Sequence, residues 1–185
     1  MVGVSHRVAV AALSGALSYA SCFVPHAGGA QWGAGVIFGL LVLGPSYRGT
    51  SHFVVLAALS TAVYRVAVWS AQKLYVDTSW SGVASCALAG FAGAIALSLG
   101  SSVVLRTRAT TLSTTCSAVV GAGAGALIGL SLGAPDESVI QHVLFFSGFV
   151  MWQVGYVAAH CLSPWPRVAG HFRGQRLVGR SRTEC

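Results

Sequence analysis

Long apolar segments alternate with short polar links along this chain. Each segment approaches the roughly 20 residues that a helix needs to cross a bilayer. The pattern predicts an all-α integral membrane fold, a bundle of six transmembrane helices in residues 1–163, followed by a basic tail in residues 164–185. The six predicted spans are about 8–25, 30–47, 52–72, 80–105, 111–134 and 138–162.

The composition supports lipid as the main solvent of this surface. Only 8% of the 185 residues are charged, 55% are hydrophobic, and the mean hydropathy is +0.72. Soluble domains carry about a quarter charged residues. The 23 glycines are also typical of transmembrane helices. A lipid bilayer is therefore the first expected partner.

The basic residues indicate how the bundle is oriented. If the chain crosses six times, one side receives most of the arginines: Arg7, Arg48, Arg106, Arg108, Arg167, Arg173, Arg176, Arg180 and Arg182. The other side receives Lys73, Asp77, Asp136 and Glu137. The positive-inside rule then predicts cytoplasmic N- and C-termini, with a bacterial plasma (inner) membrane as the expected location. The net charge of +7 is explained by this topology, and no nucleic-acid partner is expected.

Small residues recur every four positions in two neighbouring spans. The fifth span carries Gly121, Gly125, Gly129 and Gly133, and the fourth carries Gly82 and Gly90. Such a glycine zipper lets two helix backbones approach closely in lipid. The pattern predicts that the two spans pack as an antiparallel pair, or that one zipper faces a second copy in a homo-oligomer.

Two segments resemble each other at an offset of 90 residues. "GAGVIFGLLVLGPSYRGTSH" (33–52) aligns without a gap to "GAGALIGLSLGAPDESVIQH" (123–142), which pairs Pro45 with Pro135 and His52 with His142. Each half would contain three spans, so the halves would have opposite orientations. This is the pattern of a 3+3 inverted-topology repeat, typical of transporters and some channels.

The stretch "LAALSTAVYRVAVWSAQKLY" places Arg65 inside an apolar span. A charge at that depth is costly unless it is paired or wetted, and it is a functional candidate by default. In one interpretation Arg65 pairs with an outer carboxylate, namely Asp77, Asp136 or Glu137. In the other it faces an anionic solute or acts as a gate.

The other solute or gating candidates are His52, His142 and Gln153. Histidine titrates near neutral pH, so the repeat-related pair His52 and His142 suits a proton-sensing role. Haem bound by two histidine layers, with His26 and His160 as the further ligands, is a weaker alternative. No phosphate loop, dinucleotide fingerprint or zinc-type cysteine cluster occurs, so no cofactor or metal is expected.

The segment "SGVASCALAG" (81–90) resembles the serine segment of rhomboid intramembrane proteases. That resemblance implies a Ser81 nucleophile with His142 as its base. It covers about ten residues, and the chain lacks the asparagine with which that family stabilises its oxyanion.

These features predict a non-enzymatic transporter or channel, or its membrane subunit, for a small polar or anionic solute or ion. A chain this small is expected to work as a homo-oligomer or within a larger membrane complex. A non-catalytic accessory or assembly subunit is the alternative function, and the rhomboid-like protease is a minor one.

Overall fold

The computed structural model describes residues 4–24, 32–43, 50–78, 80–105, 109–135 and 138–162. Within these residues the chain forms six helices and no strand. They are α1 (Val4–Ser21), α2 (Ala34–Phe38, continued by a π-helical turn over Gly39–Leu43), α3 (Thr50–Asp77), α4 (Gly82–Val104), α5 (Thr111–Leu132) and α6 (Val139–Leu162). The predicted all-helical architecture is confirmed for this part of the chain.

Four of the helices, α3 to α6, are long and apolar enough to cross a membrane. The apolar helix formed by α2 is shorter, at Ala34–Leu43. The fold is therefore that of a helical membrane protein, whereas the count of six spans stays a prediction. The predicted basic tail, 164–185, lies outside the described residues, as do Arg48, Arg106 and Arg108.

The helices form a ring in chain order. Each helix packs against the next one along the chain, and α1 packs against α6, which closes the ring. Short connections favour this arrangement because they force consecutive helices to lie side by side.

Polar side chains fix where three of the helices begin. Each accepts a hydrogen bond from a backbone N–H in the first turn, a group that has no partner within its own helix. The bonds run from Ala84 to Ser81 Oγ (3.2 Å), from Ser113 to Thr110 Oγ1 (3.1 Å) and from Gln141 to Ser138 Oγ (3.1 Å).

Helices α4 and α5 are in backbone contact along the glycine zipper. A methyl group on Gly121 would overlap the carbonyl oxygen of Gly90, and one on Gly125 would overlap that of Cys86. A Cβ on Gly129 would lie only 2.5 Å from the carbonyl oxygen of Gly82. These three levels require glycine on α5 because the neighbouring backbone fills the space of a side chain.

Gly133 has a different environment from the other zipper residues. It is the residue that ends α5, and the nearest atom to a Cβ built on it is the carbonyl oxygen of Leu130 in the same helix, at 3.7 Å. The zipper contact with α4 therefore extends from Gly121 to Gly129.

Helix α2 covers only the first half of α3. A Cβ on Gly35 would lie 2.7 Å from the Cα of Thr61, and one on Gly39 would lie 2.5 Å from the Cα of Ala57. The contact thus lies near residues 57–64 of a helix that continues to Asp77. The second half of α3 is not covered by the described part of α2.

The two predicted repeat halves differ in packing. Gly35 and Gly125 are aligned in the repeat, yet Gly35 contacts α3 and Gly125 contacts α4. In an inverted repeat the counterpart of α3 would be α6, so these contacts are not equivalent. The described helices also differ in regularity, since α5 is α-helical over 22 residues and α2 passes after Phe38 into a π turn over Gly39–Leu43. The inverted repeat stays a prediction without support from these contacts.

Gly125→Ala is expected to lower the stability of the bundle by about 1–3 kcal/mol, because the added methyl group overpacks the α4–α5 contact. The matched control is Gly93→Ala, whose Cβ would lie 3.4 Å from Ala67 Cβ, an ordinary contact. Unfolding of both variants in detergent, followed by circular dichroism, measures the difference. Equal stability of Gly125→Ala and Gly93→Ala would contradict the close backbone contact.

Candidate solute cavity

A cavity of about 360 Å³ lies between α3, α4, α5 and α6. The described residues that line it come from the end of α3, the start of α4, the end of α5 and the first half of α6. It therefore extends from the middle of the bundle towards the end at which α3 finishes and α4 begins. The lining on α3 starts at Val63 and Tyr64, where the contact with α2 stops.

The cavity exists because small residues leave its wall without side chains. Its α4–α5 wall is formed largely by glycine and alanine, including Gly90, Gly93, Gly121 and Ala124. The same glycines that bring α4 and α5 together thus give the cavity a flat wall made of backbone and methyl groups.

The chemistry of the lining is mostly apolar. Among the described lining residues, polar side-chain atoms are supplied only by Tyr64, Gln72, Tyr75, Cys86 and Trp152. Cavities of about 300–1,000 Å³ with apolar walls and a few polar groups are typical small-molecule sites. This cavity suits a ligand with a large apolar surface and few hydrogen-bonding groups.

An aromatic cluster closes the cavity at mid-depth. Trp152 stacks on Phe38 of α2 with ring centroids 5.2 Å apart and on Tyr64 of α3 at 6.4 Å. Tyr156 also contacts Phe38, edge-on, with ring centroids 5.4 Å apart. Phe38 also belongs to the buried core with Leu56 and Leu97. Among the described residues, Phe38 of α2 therefore fills one half of the ring, and the cavity lies in the other half.

Arg65 does not line the cavity. It is the next residue after Tyr64, but its side chain is exposed on α3 rather than directed between the helices. The expected outer partner Asp77 forms an ion pair with Lys73, 3.3 Å away, and Asp136 and Glu137 lie outside the described residues. An arginine at the centre of a membrane helix costs about 3 kcal/mol on insertion scales.

Gln153 is fully buried and connects α6 to α1. Its Nε2 donates a hydrogen bond to Ser18 Oγ at 2.7 Å, and Ser18 in turn donates to the carbonyl oxygen of Ser14 at 2.8 Å. Gln153 Oε1 has no partner among the described residues. This side chain acts as a polar connection between two helices rather than as part of the cavity wall.

The predicted histidine pair is not brought together in the described residues. His142 Nδ1 lies 2.9 Å from the hydroxyl of Tyr19, which attaches the start of α6 to the end of α1. His52 belongs to the first turn of α3, and its side chain lies outside the described part. Both residues sit on helices, but near opposite ends of the bundle.

The two residues of the protease resemblance have separate partners. Ser81 accepts the capping hydrogen bond of α4, and His142 is bonded to Tyr19. The hydrogen bonds within the described chain therefore do not join Ser81 to His142. No described group of three or more His, Cys, Asp and Glu side chains is arranged to hold a metal ion.

A second polar cluster, in the half of the bundle that α2 fills, was not anticipated from the sequence. His160 Nδ1 donates to the carbonyl oxygen of Tyr156 at 2.9 Å, because a carbonyl only accepts. Its Nε2 lies 3.4 Å from Ser98 Oγ, and Ser98 contacts the hydroxyl of Thr114 at 3.2 Å. The cluster joins α4, α5 and α6. The spacing of serines on α4 is the only sequence signal for it, and serine is common in such helices.

No protein family matches the chain, and neither a curated protein nor a solved structure shows a significant match to it. The cavity and its surroundings therefore carry the functional argument.

The variant Ser18→Ala is expected to destabilise the protein by about 1 kcal/mol, because it leaves the buried Gln153 amide without its acceptor. Adding Gln153→Met removes the buried polar group as well, so the double variant is expected to recover most of that loss. The unfolding free energies of both single variants and of the double variant give the interaction energy between Ser18 and Gln153. Additive losses would show that the Ser18–Gln153 hydrogen bond does not contribute to stability.

Proposed function

We propose that this chain is a small polytopic membrane transporter, or the solute-binding membrane subunit of one, whose solute has a largely apolar surface. The observation that carries the proposal is the cavity between α3 and α6. Its volume is at the lower end of the usual range for small-molecule sites, and its walls offer few hydrogen-bonding groups.

The class of solute differs from the one that the sequence favours. The small polar or anionic solute was inferred mainly from Arg65, which lies outside the cavity lining. A charged solute would lose its hydration on entering an apolar cavity without regaining equivalent contacts. Tyr64, Gln72 and Tyr75 would instead orient one polar end of an otherwise apolar molecule.

The proposal includes a direction of access. By the positive-inside pattern, the open half of the ring faces the extracytoplasmic side of a bacterial inner membrane and both termini are cytoplasmic. In this proposal α1 and α2 complete six membrane-embedded segments. The 3+3 inverted repeat is not needed for a cavity of this kind.

The aromatic cluster at mid-depth would act as the barrier to the cytoplasmic side. Trp152 lines the cavity and stacks on Phe38, which is fully buried. It lies next to the π-helical turn of α2, and π turns inside helices are frequent at functional sites. A shift of α2 along α3 would move Phe38 and open the path.

A non-catalytic accessory or assembly role is the second candidate function. The observation that favours it is the exposed position of Arg65 on a membrane helix. In that case the cavity would be occupied by lipid rather than by a transported solute.

The variant Ala71→Phe is expected to weaken ligand binding about tenfold or more, because the new ring fills part of the cavity. The probe is 1-aminoanthracene, a small, flat and mostly apolar fluorophore, titrated into purified protein in lipid nanodiscs. Ala92→Phe, on the exposed face of α4, is the matched control and is expected to bind like the wild type. Equal affinities of Ala71→Phe and the control would argue against binding in this cavity.

The proposed topology predicts the accessibility of single cysteines in a variant whose native cysteines are replaced. A membrane-impermeant maleimide added to intact cells should label Asp136→Cys but neither Gly3→Cys nor Arg173→Cys. All three should react after permeabilisation. Labelling of Gly3→Cys but not of Arg173→Cys in intact cells would show an odd number of crossings, and labelling of both would place both termini outside; either result would contradict this topology.

A further inference from the structure

His160 is the titratable residue of the second polar cluster, and it lies at the opposite end of the bundle from the cavity. It belongs to the last turn of α6 and is half-buried, whereas the cavity is lined by the first half of that helix. Both ring nitrogens have partners: the carbonyl oxygen of Tyr156 lies 2.9 Å from Nδ1, and Ser98 Oγ lies 3.4 Å from Nε2. Only two residues follow His160 in α6, so a proton from water at this end travels less than one helical turn to reach the ring.

The hydroxyl groups next to His160 suit both protonation states of its ring. In the neutral ring Nδ1–H donates to Tyr156 and Nε2 is an acceptor, so the hydroxyl of Ser98 donates to it. When the ring takes up a proton, Nε2–H donates and Ser98 Oγ accepts. Ser98 then donates to Thr114 Oγ1, 3.2 Å away, because a hydroxyl group both donates and accepts. Reorientation of these hydroxyl groups therefore accommodates the proton without movement of a helix.

The ring of Tyr156 responds to the charge on His160. The two rings stack with centroids 4.1 Å apart and an angle of 25° between their planes. A cation within about 6 Å of an aromatic face is attracted to it, so an imidazolium holds Tyr156 more firmly than a neutral imidazole does. Tyr156 is buried, and its hydroxyl lies 3.1 Å from Ser101 Oγ on α4. A proton on His160 therefore fixes Tyr156 between α6 and α4.

Tyr156 also connects His160 to the side of the cavity. It contacts Phe38, and Phe38 stacks on Trp152, which lines the cavity. Three ring contacts in series thus join His160 to the cavity wall. A contiguous set of packed side chains is a physical means by which two sites can be coupled.

The other titratable or charged groups at this end of the described bundle include no carboxylate. Besides Tyr156 they are His6 and Arg7 of α1, Cys116 of α5, Cys161 of α6, and His52 of α3, whose side chain lies outside the described residues. The described parts of α2 and α4 contribute none at this end, and the ion pair of Lys73 with Asp77 lies at the other end. Within the described chain, the charge of a protonated His160 is therefore stabilised by hydroxyl groups and by the ring of Tyr156.

We propose that His160 is a proton-binding site, and that a proton bound there stabilises the conformation in which the aromatic cluster is closed beside the cavity. Nε2 takes up one proton from water, and no other covalent bond changes. Loss of that proton weakens the hold on Tyr156, so Phe38 and Trp152 become freer to move. The effect on a solute rests on the proposed function: by linkage, a ligand in the cavity and a proton on His160 favour each other's binding.

The first test needs no ligand. The full chain, with carbon-13-labelled histidine and 5-fluorotryptophan, is titrated in lipid nanodiscs between about pH 5 and pH 9 and followed by NMR. The variants His160→Phe and Trp152→Phe assign the two signals. The fluorine signal of Trp152 is expected to shift with the same midpoint as the ring signal of His160. His160→Phe keeps a ring for the stack but binds no proton, so this shift should disappear, whereas the control His142→Phe on the same helix should keep it.

The second test measures the coupling to the cavity with 1-aminoanthracene as the probe. The wild-type protein is expected to bind it about fivefold more tightly at pH 5.5 than at pH 8, and His160→Phe is expected to lose this difference. Any effect of pH on the probe itself appears equally in both proteins. Tyr156→Leu removes the stack, so His160 should still titrate while the Trp152 signal and the probe affinity no longer follow it.

Three results would overturn the proposal. One is a His160 signal that does not titrate in this range, which would remove the proton site. Another is a His160 signal that titrates while the Trp152 signal stays constant, which would remove the coupling. The third is an affinity that changes with pH equally in the wild type and in His160→Phe, which would assign the effect to another group. Absence of probe binding at every pH would instead contradict the proposed function, and the NMR titration would still decide the proton site and its coupling to Trp152.

Discussion

The backbone contact between α4 and α5 is the interaction on which the rest of the bundle depends. In lipid, apolar side chains gain little by leaving the solvent for a helix interface, so close packing has to hold helices together. Gly121, Gly125 and Gly129 provide it by letting α5 meet the carbonyl groups of α4. The contact brings the two backbones together. It also produces the cavity wall that has few side chains, and α3 and α6 form the rest of the lining.

The position of Phe38 on α2 decides which part of the described interior is filled. Phe38 is buried inside the ring of helices and stacks on Trp152. The described part of α2 contacts α3 near residues 57–64 and not in its second half. Buried hydrogen bonds then fix the surrounding helices, with Gln153 joining α6 to α1 and His160 joining α6 to α4. One half of the bundle is consequently packed with aromatic and polar contacts, and the other half contains the cavity.

The sequence predicted the helices well where hydropathy and turn residues agree. The predicted spans 80–105, 111–134 and 138–162 differ by no more than two residues at either end from α4, α5 and α6. The span predicted at 30–47 is described only over 32–43, where the helix runs over Ala34–Leu43, and hydropathy averages over composition without showing which neighbour each glycine contacts. The prediction of an inverted repeat shares this weakness, since matching glycines do not imply matching neighbours.

The candidate site was harder to predict, for physical reasons that differ by residue. The depth of Arg65 follows from its position in the span, but its face does not, because α3 is apolar nearly all round. Gln153 is recognisable as an interior polar residue, but its partner Ser18 is 135 residues away. The cavity is a consequence of missing side chains on α4 and α5, and a sequence does not indicate which glycines face a neighbour and which face open space.

A crystal structure of the full chain grown from a lipidic phase tests the central claim most directly. The account predicts an open space between α3 and α6, with ligand or lipid density in contact with Tyr64, Trp152 and the wall at Gly125. A structure in which α3 packs directly against α5 and α6, so that Tyr64 and Ala71 fill that space, would contradict it.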